Sequence, residues 1–498
     1  MEYTNLAQIA ALGGALGAVL VLIPRGRFFI IVGLGLLGAA TGALAVSLVG
    51  TDDLELIVEE PAALAALALG AGVMGLGAAA LVRYPAATPV ALLAAAPFRV
   101  PVELGDEEAF LLLPLYVVLA AAVIALGVRM LRGEHPPAVP FQLALPLSAF
   151  VTFASISFLW TWDERAGGIA LAFFLFPFVA GLGVVARAPL APWLPRALVV
   201  TLVALGALFA AIGMWQAQTR TLFFARDLEV ANAYTTFFRV TSLFKDPSLY
   251  GRYLVVPIVV LLVVLLARTT RSVVWIALAG VVAFLFLGLY FSYSQSSFFA
   301  LFVTTAAIAF VAGDRRFRVA LIACALAATL AAGAFAATAI EGRSARDVTS
   351  GRSRLVDITY EAFKARPVAG VGIGGQPAAS AEASGRRSPK RNASHTTPLT
   401  VLAELGLAGF GLYLWMLGAV GWALVRISRV DKTFALGLAA VLSVLFVHSL
   451  LYAGFFEDPL TWGVIGLAAA LLARSLTPLV RPAPTATEQP SAPSVLAH

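Results

Sequence analysis

From Leu6 to Ala473 the chain returns repeatedly to apolar runs of about twenty residues, the length a helix needs to cross the hydrocarbon core of a bilayer. The runs fall at 6–23, 28–49, 61–82, 88–103, 110–128, 141–160, 167–186, 195–216, 249–267, 273–291, 297–313, 318–340, 398–425, 434–453 and 459–474. Only 12% of the residues are charged, against about 25% in a soluble domain. The expected fold class is therefore an all-α polytopic membrane protein with about 14–15 transmembrane helices. The run 88–103 is the weakest, because it is short and holds Arg99 and three prolines, and it reads as either a full span or a broken, re-entrant one. The first run is followed by Pro24-Arg25-Gly26-Arg27 rather than a small-residue cleavage site, so it reads as an uncleaved span. The single cysteine, Cys324, excludes an intramolecular disulfide and a cysteine-cluster metal site.

Lysines and arginines in short loops set orientation. Arg25 and Arg27, Arg129 and Arg132, Arg187 and Arg196, Arg268 and Arg271, Arg315 to Arg318, and Arg426 to Lys432 mark one face as cytoplasmic. The alternate loops 51–60, 105–108, 161–168, 292–297 and 455–459 are acidic or nearly uncharged. The alternation holds if 88–103 crosses. It divides the chain into an N-terminal bundle (1–216), a membrane region opening with a first basic outer loop at 217–248 (217–340), a large outer loop (341–397), C-terminal helices (398–480) and a tail (481–498) that reads as disordered and cytoplasmic. The basic balance belongs to this topology and to the outer loops, and does not call for nucleic acid.

The large outer loop breaks the pattern. It carries ten basic and five acidic residues, a net +5 out of the whole chain's +7. Within it Leu355, Ile358, Thr359, Ala362 and Phe363 fall at helical spacing, which predicts an amphipathic helix lying on the membrane surface and stopped by Pro367. Gly370-Val-Gly372-Ile-Gly374-Gly375 predicts a tight turn with close backbone approach; no strand precedes it, so it is not a dinucleotide fingerprint. His395 lies three residues before Pro398, at the mouth of the next helix, where free N–H groups and the positive end of the helix dipole favour anions.

Four pieces of sequence resemble the bacterial O-antigen ligase and O-antigen polymerase family of integral membrane glycosyltransferases. They are Arg239-Val-Thr-Ser-Leu-Phe-Lys-Asp-Pro247-Ser; Tyr293-Ser-Gln295-Ser; Gly351-Arg352 followed by Pro367-Val-Ala-Gly370-Val-Gly372; and His395-Thr-Thr-Pro-Leu399 with Glu404-Leu-Gly406-Leu-Ala-Gly409. The likeness runs from about 239 to 409, and more loosely to Phe456–Trp462. Ser248 and Thr396 stand where the family has asparagine, and Gln295 where it often has arginine. The resemblance implies the fold of the C-type membrane glycosyltransferases, no cofactor and no metal. It implies a donor glycan on undecaprenyl pyrophosphate, presented at the outer face of the cytoplasmic membrane, and transfer to a hydroxyl of a glycan, lipid or protein acceptor.

The residues fit that chemistry. Without a divalent ion, a pyrophosphate leaving group needs arginines, whose planar forks meet phosphate oxygens two at a time. Arg352 and Arg239 come first, then Arg252 and Arg343. A general base for the acceptor hydroxyl works best near pKa 7, which histidine supplies. Of the four histidines only His395 sits in the basic loop; His448 lies late in a span, where a hydrogen-bonded packing role is at least as good a reading. Glu404, Lys245, Gln295 and His448 are supporting candidates. A transporter or flippase of lipid-linked oligosaccharides is the alternative. It would place ionisable residues near mid-span, whereas here they cluster at the span ends.

Overall fold

The computed structural model describes residues 4–49, 61–104, 107–235, 237–267, 272–316, 318–319, 352–385 and 393–476. The expected span at 318–340, with Cys324, lies outside them, as do Arg343 and the tail. The described chain is almost wholly helical: α1 (Thr4–Leu22), α2 (Arg27–Val49), α3 (Pro61–Arg83), α4 (Thr88–Ala95), α5 (Leu113–Leu131), α6 (Phe141–Ile156), α7 (Glu164–Ala186, with a π-helical turn at Ala170–Leu175), α8 (Leu194–Thr219), α9 (Arg226–Ala233), α10 (Pro247–Leu266), α11 (Ser272–Tyr290), α12 (Gln295–Ala312), α13 (Arg352–Ala365), α14 (Gln376–Ala383), α15 (Thr397–Ile427), α16 (Lys432–Ser449) and α17 (Pro459–Leu476). Thirteen helices among the described residues are long and apolar enough to cross a membrane. The chain is an all-α, multi-pass membrane protein.

The run at 88–103 is broken rather than a single helix. A 3₁₀ turn at Pro85–Ala87 and the eight-residue α4 give way to strand β1 (Val100–Leu104), which pairs antiparallel with β2 (Glu107–Leu111). Pro97, Arg99 and Pro101 explain the change, since a proline interrupts helix bonding and the residue before it prefers extended backbone. The hairpin reaches the basic segment 217–248: Phe110 packs edge-on to Phe224 at 5.8 Å, and Lys245 Nζ lies 4.8 Å from the Phe110 ring centroid.

Inside a bilayer, helix association gains little from the hydrophobic effect and depends on close packing, which small residues permit. The α1–α2 crossing shows this: a Cβ added to Gly17 would lie 2.9 Å from the Gly33 carbonyl oxygen, and one on Gly33 would lie 2.9 Å from that of Gly17. At the centre of the other half is α10, which packs on α8, α11, α12 and α16 and is the most buried of the spans. Asp246 starts it, its Oδ1 accepting from the N–H groups of Ser248 (2.6 Å) and Leu249 (3.2 Å), with Pro247 at the first helical position.

The amphipathic helix expected in the large loop is α13, but its apolar face is not laid on a membrane. Thr359 and Ala362 are buried, and α13 packs against α14 and α15. Ala362 and Phe363 join Trp162, Val371, Ala379 and Ala403 in a small core separate from the main one. Protein, not lipid, covers this face.

Candidate functional site

Two polar assemblies occupy the end of the bundle where α10, α15 and α17 begin. The first is a cap spliced into a broken helix. At Gly406 the helix α15 departs from helical geometry (φ 64°, ψ −167°), so two of its expected bonds, Leu407 N–H to Ala403 and Ala408 N–H to Glu404, are lost. The loop after α13 supplies substitutes. The N–H groups of Val371 and Gly372 donate to the Ala403 and Glu404 carbonyls (3.0 and 2.8 Å). Those of Leu407 and Ala408 donate to the carbonyls of Pro367 and Val368 (2.8 and 3.1 Å). The four groups of these two bonds are thus satisfied by the loop, as a low-dielectric setting demands.

The glycines are what make the splice possible. Gly370, Gly372 and Gly374 have φ of 71°, 88° and 75°, a region that side chains disfavour. A Cβ on Gly370 would run into the Glu404 carbonyl, one on Gly372 into Thr161, and one on Gly374 into the backbone of Gly167. Ser157 and Thr161 complete the seat: Ser157 Oγ accepts from Ile373 N–H (3.0 Å), and Thr161 Oγ1 donates to the Ile373 carbonyl (2.8 Å). Glu404 belongs here, its carboxylate accepting from the N–H of Gln376 (3.4 Å) and of Gly374.

Gln376, 1% exposed, ties the cap to the histidine. Its Nε2 donates to Thr359 Oγ1 of α13 (3.2 Å) and Ser380 Oγ (2.7 Å), while its Oε1 accepts from Ser394 N–H (2.9 Å). His395 follows Ser394 directly, exposed, just outside the N-cap Thr396 rather than within the first turn of α15. Arg352 opens α13 on the same cap; its side chain lies outside the described residues.

The second assembly is buried. Arg252 of α10 donates from Nη1 to Asp458 Oδ2 (2.8 Å) and to the Gly454 carbonyl (3.2 Å), and its Nε and Nη2 lie 3.3 and 3.1 Å from His448 Nδ1. Arg252 and Asp458 are each 2% exposed and His448 is fully buried. An arginine can only donate and a carbonyl can only accept, so His448 Nδ1 is the acceptor. Its Nε2–H then faces the Ser248 carbonyl (3.2 Å), with Ser296 Oγ and Ser297 Oγ at 3.1 and 3.3 Å. Both ring nitrogens are committed. The packing role read for His448 from its place in the span is the one these contacts describe, and Arg252's donors are turned to protein partners.

The remaining candidates are spread around these assemblies. Asn232 clamps the backbone of Arg239, accepting its N–H (3.1 Å) and donating to its carbonyl (3.0 Å), and Arg239 Nε lies 3.4 Å from the Ser292 carbonyl. Burial lowers the pKa of Arg239, opposed by the nearby Asp246. The segment beyond is held by the buried Gln216, whose Oε1 accepts from Thr241 and Ser242 N–H (3.2 and 2.7 Å). Gln295 is exposed at the start of α12, after the N-cap Ser294, and Lys245 lies against Phe110. Among the described residues no cluster of His, Cys, Asp and Glu has the geometry to hold a metal ion.

Sequence reasoning missed Asp458, Gln376, Gln216 and the splice itself. Asp458 was legible only as part of an acidic loop. Gly406 is one of five glycines in the apolar run 398–425, and only its place two residues after Glu404 in the motif set it apart.

A many-span membrane protein whose extramembrane cap is built into a discontinuous helix is the class this fold defines. Residues 257–414 match the O-antigen ligase family model, a segment that takes in the second half of α10, the cap, His395 and the splice. The resemblance drawn from the motifs is borne out over this segment, which is similar to the O-antigen ligase family. No curated protein matches the chain.

Proposed function

We propose that this protein transfers a glycan from an undecaprenyl-pyrophosphate-type lipid to an acceptor hydroxyl at the outer face of the cytoplasmic membrane, as a metal-independent glycosyltransferase. The observation that carries the reading is the coincidence of the family-matched segment with the spliced cap: the residues 257–414 contain both the broken helix and the histidine held at its mouth. His395, exposed and positioned through Ser394 and Gln376, takes the proton of the acceptor hydroxyl. The acceptor oxygen bonds to the anomeric carbon as the bond from that carbon to the pyrophosphate oxygen breaks. The leaving group departs with the electron pair, its charge met by arginine forks, with Arg352, Arg239 and Arg343 in that role. Arg252 came from the same reasoning. With its guanidinium on His448, Gly454 and Asp458, it acts in this reading by fixing the turn before α17 beneath the site.

The lipid-linked glycan and the acceptor are the partners, and the positive-inside pattern puts the cap outside. The broken helix and buried ion pair are also features of transporters, so the test must separate moving a lipid from changing its bonds. Purified protein in nanodiscs is incubated with an undecaprenyl-pyrophosphate-linked glycan and candidate acceptors, and the lipid is analysed by mass spectrometry. Appearance of glycan-free lipid pyrophosphate with a glycosylated acceptor is expected. Intact donor, together with donor redistribution across the bilayer of proteoliposomes, would establish the transporter instead.

A further inference from the structure

An apolar cavity of about 530 Å³ lies between α4, α5, α7, α8, α10, α16 and α17. Its walls include Leu202, Phe178, Val260, Val441 and Leu467. At its outer limit are Pro459 and Trp462; Arg196, Asp431 and Thr433 mark the other. The chain directions place the Arg196 mouth at the end of the bundle opposite the cap, since α8 and α16 start there while α15 starts at the cap. The volume is far beyond that of a water molecule, whose share of liquid is about 30 Å³. The pocket is only partly enclosed and its walls are apolar, so within a bilayer it fills with hydrocarbon rather than water.

Of the three glycines in its lining, Gly437 and Gly463 widen it. A Cβ added at Gly437 or at Gly463 would meet nothing within 4 Å, so neither is glycine because a neighbour presses on it. Their place in the wall keeps space open. At the mouth, Arg196 is exposed, and Lys432 stands between Asp431 and Thr433. The Asp431 side chain is engaged in capping α16 through the Phe434 N–H (2.9 Å). The mouth therefore offers the Arg196 guanidinium and the Thr433 hydroxyl against one occupied carboxylate, with the exposed Lys432 beside it in the chain but not lining it, a setting suited to a phosphodiester.

We propose that the cavity is a binding site for one membrane glycerophospholipid, an acyl chain filling it and the phosphate seated at Arg196 and Thr433. An anionic headgroup such as phosphatidylglycerol fits the charge of the mouth best. The site stands apart from the glycosyl-transfer reading and does not depend on it.

Native mass spectrometry of the full-length protein, delipidated in mild detergent and re-exposed to phosphatidylglycerol vesicles, tests the site. Wild type is expected to retain one phospholipid per chain. Gly437→Phe combined with Gly463→Leu, which fills the cavity, is expected to reduce retention at least tenfold, and Arg196→Glu to reverse the preference for phosphatidylglycerol over phosphatidylethanolamine. Because the filled variant could fail to fold, a second measurement leaves the cavity wall intact. Phosphatidylglycerol brominated along its acyl chain is expected to quench a tryptophan signal that is absent in Trp462→Phe. The proposal is overturned if wild type retains no lipid, if the retained molecule is a polyprenyl pyrophosphate, if the filled variant folds and still retains phospholipid, or if Trp462 is not quenched.

Discussion

The two polar assemblies at the cap end of the bundle are built on opposite plans. In the Arg252–His448–Asp458 cluster, charge is removed from solvent and every major donor or acceptor is paired within protein. In the cap, side chains at the surface are held by a buried backbone lattice, with His395 exposed above Gln376 and the splice. A buried pair is costly to form and costlier to break, which suits a fixed point. A histidine that must reach a substrate proton has to keep its ring accessible. The same residue type therefore serves as an anchor at 448 and, in the proposed mechanism, as a reagent at 395.

The largest effects should come from treating both assemblies alike. Asp458→Ala leaves the Arg252 guanidinium buried without its counter-charge, and should cost about 3–5 kcal/mol of stability, read as a large fall in the unfolding midpoint in detergent. His395→Ala should leave that midpoint unchanged and lower transfer by about 10²–10⁴-fold. His448→Ala should resemble Asp458→Ala in losing stability. If instead His448→Ala folded normally and lost transfer while His395→Ala kept it, the contrast between anchor and reagent would be reversed.

The splice comes next in size. Gly406→Ala places a side chain at φ 64° and against the Val368 carbonyl. The backbone strain alone is about 1–3 kcal/mol. The cap should loosen before the bundle does, so proteolysis within 367–375 should accelerate while the helical circular dichroism is retained. An unchanged digestion pattern would mean that the cap is held by other contacts.

Much of this was readable from the chain. The thirteen long spans follow from apolar length alone, since a bilayer restricts the choice to helices when backbone groups must pair internally. The α13 helix and the turn at Gly370–Gly375 were legible as periodicity and glycine spacing, and the 395–409 block, which carries the break at Gly406, as a motif. What was not legible was which partner satisfied each group. The face of α13 was apolar either way, but only the fold could show that Val371 and Ala403 cover it. Arg252 and Asp458 lie 206 positions apart, and no local pattern pairs them. The proline-bearing stretch 88–103 announced trouble for a helix without saying that a hairpin would follow.

A smaller effect separates arginine's geometry from its charge. Arg352→Lys keeps the positive charge on the cap but loses the bidentate fork, and should lower transfer by more than tenfold, or about 1.4 kcal/mol in the barrier. Replacing Arg386 and Arg387 together with alanine should do much less. Equal losses would make the large loop's basic residues a diffuse field rather than a site.

The finest test lies in two neighbouring carboxylates. Asp458 is sealed in the anchor, whereas Glu457 keeps an open face, yet protein surrounds it closely enough that loss of hydration holds its pKa above the usual carboxylate range. Its own and Phe456's N–H groups and Arg252 pull the other way without prevailing. With the folded pKa above the unfolded value of about 4.3, the folded state binds the proton more tightly. The group's contribution to stability is therefore full below that unfolded value and is lost as pH rises through the folded pKa. Glu457→Gln copies the protonated form and should remove this dependence. The difference in unfolding midpoint between Glu457→Gln and wild type should then be smallest near pH 4, widen in favour of the variant as pH rises, and level off. A gap that widens in favour of wild type would mean that the ionised carboxylate is stabilised by Arg252, extending the anchor to Glu457 and erasing the boundary between the two assemblies at this turn.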